Sequence, residues 1–143
     1  MVGAVSRFGF PDVMPSPWAS PHTLPWWEAA AEHRLVVQTC VECGATRHPP
    51  GPRCWSCRAS AHEWVEVAGT GVVYTFTVVH QSFVPGLEVP HVVAAIELDE
   101  SGGARIVSNV VDCEPSTIEI GMKVSVVWDD RGPGLSLPRF APC

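Results

Sequence analysis

Four cysteines, Cys40, Cys43, Cys54 and Cys57, form two C-x-x-C knuckles, C-V-E-C and C-W-S-C, within eighteen residues of chain. A knuckle lets two thiolates converge on one cation while backbone N–H groups of the tight turn point at the sulfurs. Two knuckles complete a tetrahedral all-sulfur shell. Such a shell leaves no position for water or substrate, so a zinc ion held there is structural. Iron, as in a rubredoxin, suits the same tetrahedron. The competing readings are a disulfide pair and a redox dithiol, but thioredoxin-like chemistry uses one C-x-x-C opening a helix in a βαβ unit, a pattern this sequence lacks.

The loop between the knuckles, G-A-T-R-H-P-P-G-P-R, carries Arg47, His48 and Arg53, with Arg34 before it and Arg58 just after. Four of the nine basic residues thus fall between positions 34 and 58, where Glu42 is the only acid. Arginine forks match phosphate oxygens, so this patch suits a phosphate-bearing ligand or an acidic partner. The plain alternative is a solvated loop with ordinary surface arginines. His48 is a possible metal ligand by type, yet four cysteines already fill the shell. No histidine falls in an H-x-x-H or H-E-x-x-H spacing that would mark a second metal site.

The 143 residues carry a formal charge of −6 and are 46% hydrophobic and 17% charged. That composition folds, and its length provides one modest core with room for a small satellite. An acidic balance disfavours non-specific binding to nucleic acid or anionic membranes. The first twenty-five residues contain five prolines and no continuous apolar h-region, and no apolar run reaches the roughly 18 residues of a membrane span. These features place the chain in a reducing cytoplasm, with Cys113 and Cys143 as free thiols.

A proline-rich leader with Phe8, Phe10, Met14 and Trp18 is expected to lie against a partner or the domain surface. A short helix is predicted from Pro25 to about Arg34, with Thr23 as N-cap, Pro25 in the first turn and Glu28 early. Trp26 and Trp27 point about 100° apart on it, so one packs inward and the other meets something else. After L-V-V-Q-T and the knuckles, five β segments follow: E-W-V-E-V, V-V-Y-T-F-T-V-V-H, H-V-V-A-A-I-E-L-D, R-I-V-S-N-V-V-D and I-E-I-G-M-K-V-S-V-V-W. With no room for crossover helices, they predict a small closed antiparallel barrel in a mainly β protein.

The order W-W-E-A, C-V-E-C-G, P-P-G-P-R-C-W-S-C, G-T-G-V-V-Y-T-F-T, I-G-M-K-V and L-P-R-F-A-P resembles the DUF35 family, over nearly everything after about residue 20. The resemblance implies a leader and N-terminal helix (1–36), a rubredoxin-like zinc ribbon (37–62) and a five-stranded OB-fold barrel (63–143). It further implies a non-catalytic partner of thiolase-superfamily enzymes in a hetero-oligomer, sharing an acyl-CoA thioester with them. Actinobacterial members are similar to the C-terminal part of MaoC-type hydratase subunits, which pair with a thiolase-fold aldolase acting on a steroid side-chain acyl-CoA. On that reading the candidates for CoA phosphates are Arg47 and Arg53, with His48 and Arg58 behind them.

The alternative function is a nucleic-acid-binding zinc-ribbon and OB module. It needs a basic groove with exposed aromatics, whereas residues 63–143 hold only Arg105, Lys123, Arg131 and Arg139 against many acids. An iron-bearing electron carrier and an independent enzyme are weaker alternatives. No G-x-S-x-G, P-loop or dinucleotide fingerprint occurs, and Asp99, Glu100, Asp129 and Asp130 read as solvated carboxylates at strand ends.

Overall fold

A computed structural model describes residues 5–12 and 17–143; Met14 of the leader lies outside them. The helix α1 runs over Leu24–Ala31, with Pro25 in its first turn and Thr23 at the N-cap. The Thr23 hydroxyl turns backward to accept from the Ser20 N–H at 2.9 Å rather than capping the helix. The helix stops three residues before the expected end. His33 takes a left-handed conformation (φ 59°), its N–H donating to Ala30 O at 2.9 Å, while Arg34 N–H donates to Ala29 O at 2.9 Å. That pair of bonds is a Schellman closure, with histidine in the position usually held by glycine. The His33 ring is held there by stacking on Trp128, with 5.2 Å between centroids.

Three strands, β1 (Leu35–Cys40), β2 (Thr46–Arg47) and β3 (His62–Val67), make a sheet in the order β2-β1-β3. Register pairs Gln38 with Arg47 on one side of β1 and Leu35 with Val67 on the other. The strands β4 (Thr70–Val79), β5 (His91–Leu98), β6 (Arg105–Val110), β7 (Lys123–Asp130) and β8 (Ser136–Pro142) close a barrel in the order β4-β5-β6-β8-β7.

Two points correct the sequence reading. Glu63–Val67, expected as the barrel's first strand, pairs instead with β1, and β8 takes the fifth place. The barrel is also mixed rather than wholly antiparallel, because β6 and β8 run parallel through the Val110–Phe140 bridge. The other four neighbouring pairs are antiparallel.

Alternation builds the core. On β5, Val92, Ala94, Ile96 and Leu98 point inward. On β4 strict alternation fails, because the register with β5 slips between Val73 and Thr75. That bulge leaves Val73 buried and also brings Phe76 and Val78, at odd spacing from it, against the core. The turn into β4 needs its glycines. Gly69 has φ 79°, and a Cβ at Gly71 would strike the Glu97 carbonyl oxygen. Among the described residues most of the buried apolar side chains form one cluster, from Trp26, Ala29 and Ala30 of α1 through Leu35, Val36 and Val37 of β1 to Ile96, Val124 and Phe140 of the barrel.

Candidate functional site: a four-cysteine centre and the cleft beside it

Both knuckles have the same backbone. Gly44 N–H donates to Cys40 O at 2.9 Å, and Arg58 N–H donates to Cys54 O at 3.1 Å. Gly44 and Arg58 both sit at positive φ, 74° and 67°. The four sulfurs lie within 4.8 Å of one another, with Cys40–Cys57 and Cys43–Cys54 each at 3.6 Å. A tetrahedron with metal–sulfur bonds of about 2.3 Å has edges of about 3.8 Å, so the cage is the right size for zinc. A disulfide would need about 2.05 Å between sulfurs, and all four cysteines are free.

Electrostatics point the same way. The backbone N–H of Cys57, and after it that of Ser56, pulls the Cys54 thiol down to about 6. The Ala59 N–H acts in the same sense on Cys57, yet burial and the neighbouring sulfurs of Cys40, Cys43 and Cys54 push that thiol up to about 12. Four sulfurs this close cannot all ionise without a cation among them. The donor set therefore fits a structural zinc, which would add charge neutralisation and folding free energy and no open coordination position.

The structure separates the basic residues of the loop. Arg47 is 9% exposed. Its Nε–H donates to Gln38 Oε1, and Nη2 donates to Gly51 O at 2.9 Å. Gln38 Oε1 also accepts from Gly51 N–H at 2.9 Å, so the pair ties the proline loop to β1. The His48 ring lies 5.3 Å from Trp26, and burial pulls its pKa down to about 4, which keeps it neutral. Arg34 is engaged with Glu32 at 2.7 Å and Glu66 at 3.5 Å. Arg53 and Arg58 remain exposed beside the knuckles, Arg53 donating to Arg58 O at 3.2 Å. Exposed between them, at 67%, stands the Trp55 side chain, whose indole N–H donates to Thr46 O at 3.1 Å.

Sequence reasoning missed a cleft of about 360 Å³ where α1, the proline loop and the barrel meet. Trp26, Trp27, Pro50, Ile106, Leu137 and Arg139 are among its walls. The two tryptophans meet edge to face at 4.7 Å, Trp26 buried and Trp27 half-buried. The W-W pair is the signal the sequence offers; the barrel wall opposite it, from Leu137 to Arg139, lies in the proline-bearing strand β8, which carries no strand pattern. Arg139 in the lining donates from Nε and Nη2 to Asp129 Oδ2 at 3.2 and 3.1 Å, and from Nη1 to Asn109 Oδ1 at 2.6 Å. Burial holds its pKa below the ordinary arginine value despite the aspartate. Three of the four carboxylates considered for catalysis are otherwise occupied, and Glu100 is exposed. Asp129, read as solvated, is instead buried with Arg139, while Asp130 accepts from Ser136 and His33 and Asp99 accepts from Thr70.

Comparison with known proteins agrees with this architecture. Residues 27–63 match the family profile described as ChsH2, rubredoxin-like zinc ribbon domain, and residues 64–129 match ChsH2, C-terminal OB-fold domain. The chain is 48% identical over 117 residues to a probable enoyl-CoA hydratase alpha subunit of Thermomonospora curvata, covering 82% of this chain and 36% of that protein. It is 35% identical to the 3-oxo-4,17-pregnadiene-20-carboxyl-CoA hydratase alpha subunit of Mycobacterium tuberculosis, covering 92% of this chain and 41% of that one. This chain thus spans about two-fifths of those relatives. A DUF35 domain-containing scaffold protein of Methanocaldococcus jannaschii is 36% identical, with 72% and 73% of the two chains covered. Among solved structures, a chain of the Ltp2-ChsH2(DUF35) aldolase superposes with a TM-score of 0.81 at 45% identity, over 89% of this chain and 98% of that one.

Proposed function

The chain belongs to the DUF35 family, a zinc ribbon joined to an OB-fold, and from that premise we propose that it is a non-catalytic accessory subunit of a thiolase-fold aldolase acting on an acyl-CoA. The observation that carries this reading is the match to the aldolase chain over 98% of its length. A steroid side-chain thioester is the substrate class it favours, in line with the pregnadiene-carboxyl-CoA named for the mycobacterial relative. The site chemistry is consistent with a supporting role, since a filled four-thiolate shell offers no Lewis acid and the central carboxylates are committed to arginine, serine and threonine.

Within that complex, the part of the acyl-CoA this chain helps to hold is the phosphate end. Of the basic residues in and beside the loop, Arg53 and Arg58 are exposed to meet it, because Arg47 is turned inward and His48 is neutral. The chain works in the cytoplasm, where acyl-CoA and reduced thiols coexist.

The test is co-purification with the thiolase-fold subunit and an assay of carbon–carbon cleavage with and without this chain. Loss of activity on its omission, restored on adding it back, is the expected result. Full activity of the partner alone would sink the accessory role.

A further inference from the structure

The leader is seated on the barrel as a small preorganised unit. Val5 bridges to Pro11, Ser6 N–H donates to Phe10 O at 2.8 Å, and Gly9 N–H donates to Ser6 O at 3.0 Å. Its contacts with the barrel reach across some 120 residues. Arg131 donates from Nη1 to Phe10 O at 3.0 Å and from Nη2 to Pro11 O at 2.6 Å. The Arg139 guanidinium lies 4.1 Å over the Phe10 ring, and His91 meets that ring edge-on at 6.0 Å. Glu88 N–H donates to Gly9 O at 3.1 Å. Phe10 is left 5% exposed.

Charge explains why the barrel needs this segment. Arg131 and Arg139, with side chains 7% and 12% exposed, share one buried carboxylate, Asp129. Asp129 is 3.1 Å from Arg139 and 3.7 Å from Arg131, so Arg131 keeps N–H groups that must find other acceptors. Two successive carbonyls of the leader supply them, and Asp12 adds a carboxylate at 3.4 Å. A buried fork reading adjacent carbonyls, a cation over an aromatic face and a proline fixing the chain between them are the elements of a peptide-recognition site.

We propose that the barrel carries a peptide seat, formed by His91, Arg131 and Arg139, which recognises a Phe-Pro-Asp segment presented on a tight hairpin, and that residues 5–12 occupy it in cis as a detachable plug. The seat opens onto the cleft. Asn109, Leu137 and Arg139 line both the cleft and the adjoining cavity of about 300 Å³ that Phe10 walls, so seating the leader closes the arginine-bearing end. Peptide occupancy therefore controls access to that end of the cleft.

The experiment uses the full zinc-loaded chain carrying Phe10→Ala or Arg131→Gln, with zinc content and thermal midpoint as fold controls. Trypsin nicking after Arg7 should accelerate at least about tenfold in either variant, since a lost cation–π contact or charged hydrogen bond is worth a factor of that order. A fluorescent peptide copying residues 5–12 should bind saturably to the Phe10→Ala chain and not to the wild type, whose seat is filled. It should also fail to bind the double variant Phe10→Ala, Arg131→Gln. Unchanged nicking, or faster nicking without saturable peptide binding, overturns the proposal and leaves ordinary packing. A wild-type dimer dispersed by the peptide overturns the cis arrangement in favour of exchange between copies.

Discussion

At the scale of single residues, the loop between the knuckles divides into cations that build the fold and cations that face outward. Arg47 belongs to the first kind. It bonds to Gln38, and the two residues together hold Gly51 through one hydrogen bond each in a buried setting. Arg47→Ala should lower stability by roughly 2–4 kcal/mol, because removing it strands the Gly51 carbonyl and half of the Gln38 acceptor. The same change should leave the CoA affinity of the folded complex unaltered, whereas Arg53→Ala with Arg58→Ala should weaken it by about tenfold, the cost of roughly 1.4 kcal/mol of phosphate contact. Denaturant titration of the free chain and calorimetry of the complex separate the two effects. His48 adds a pH dependence. The fold keeps it neutral down to about 4, while the unfolded chain takes up the proton near 6.5. Between those values the unfolded state binds more protons, so stability falls as pH drops, by on the order of 3 kcal/mol across the interval. Replacing His48 by Phe should flatten that part of the stability–pH curve.

At the scale of elements, the knuckles, the helix start and β4 through β7 were legible, because each is written in local spacing. β8 was not. S-L-P-R-F-A-P reads as a proline-broken tail, and proline is excluded from strand interiors when its nitrogen faces a ladder. Here Pro138 and Pro142 fall on the same parity as Phe140, whose carbonyl accepts from Val111 N–H at 2.8 Å on the β6 side. Their missing N–H groups therefore point toward β6, where pairing is limited to one bridge and the Ser108 hydroxyl reaches Pro138 O at 2.5 Å. The full ladder of β8 is with β7, and proline leaves it intact. The same blindness to partners put Glu63–Val67 in the barrel, since alternation gives the face of a strand but not its neighbour. Closure thus rests on Phe140, fully buried at the β6–β8 bridge. Phe140→Ala should cost about 3–5 kcal/mol, read as a shifted urea midpoint, and Phe140→Leu should recover most of it. Equal losses for the two variants would deny the barrel seam its dependence on filled volume.

At the scale of the whole molecule, the zinc ribbon and the barrel are joined by their interior. Among the described residues, α1 and β1 contribute Trp26, Ala29, Ala30, Leu35, Val36 and Val37 to the cluster that also contains Val73, Ile96 and Phe140. The ribbon's outer strand β3 buries only Val67 fully, so the three-stranded sheet has no separate core to fall back on. Its order depends on the metal, whose binding to a site absent from the unfolded chain contributes directly to folding, with apparent values of about 10–16 kcal/mol in small zinc modules. Stripping zinc with a chelator at neutral pH should therefore release β1 and α1 together, uncover the barrel face beneath Trp26 and lower the stability of the barrel itself. Amide exchange followed strand by strand gives the measurement. Protection in β5, far from the cysteines, should fall with that in β1, in one transition and with the same zinc dependence. If β5 kept its full protection while β1 exchanged freely, the two halves would be independent folding units, and the shared apolar cluster would be contact without coupling.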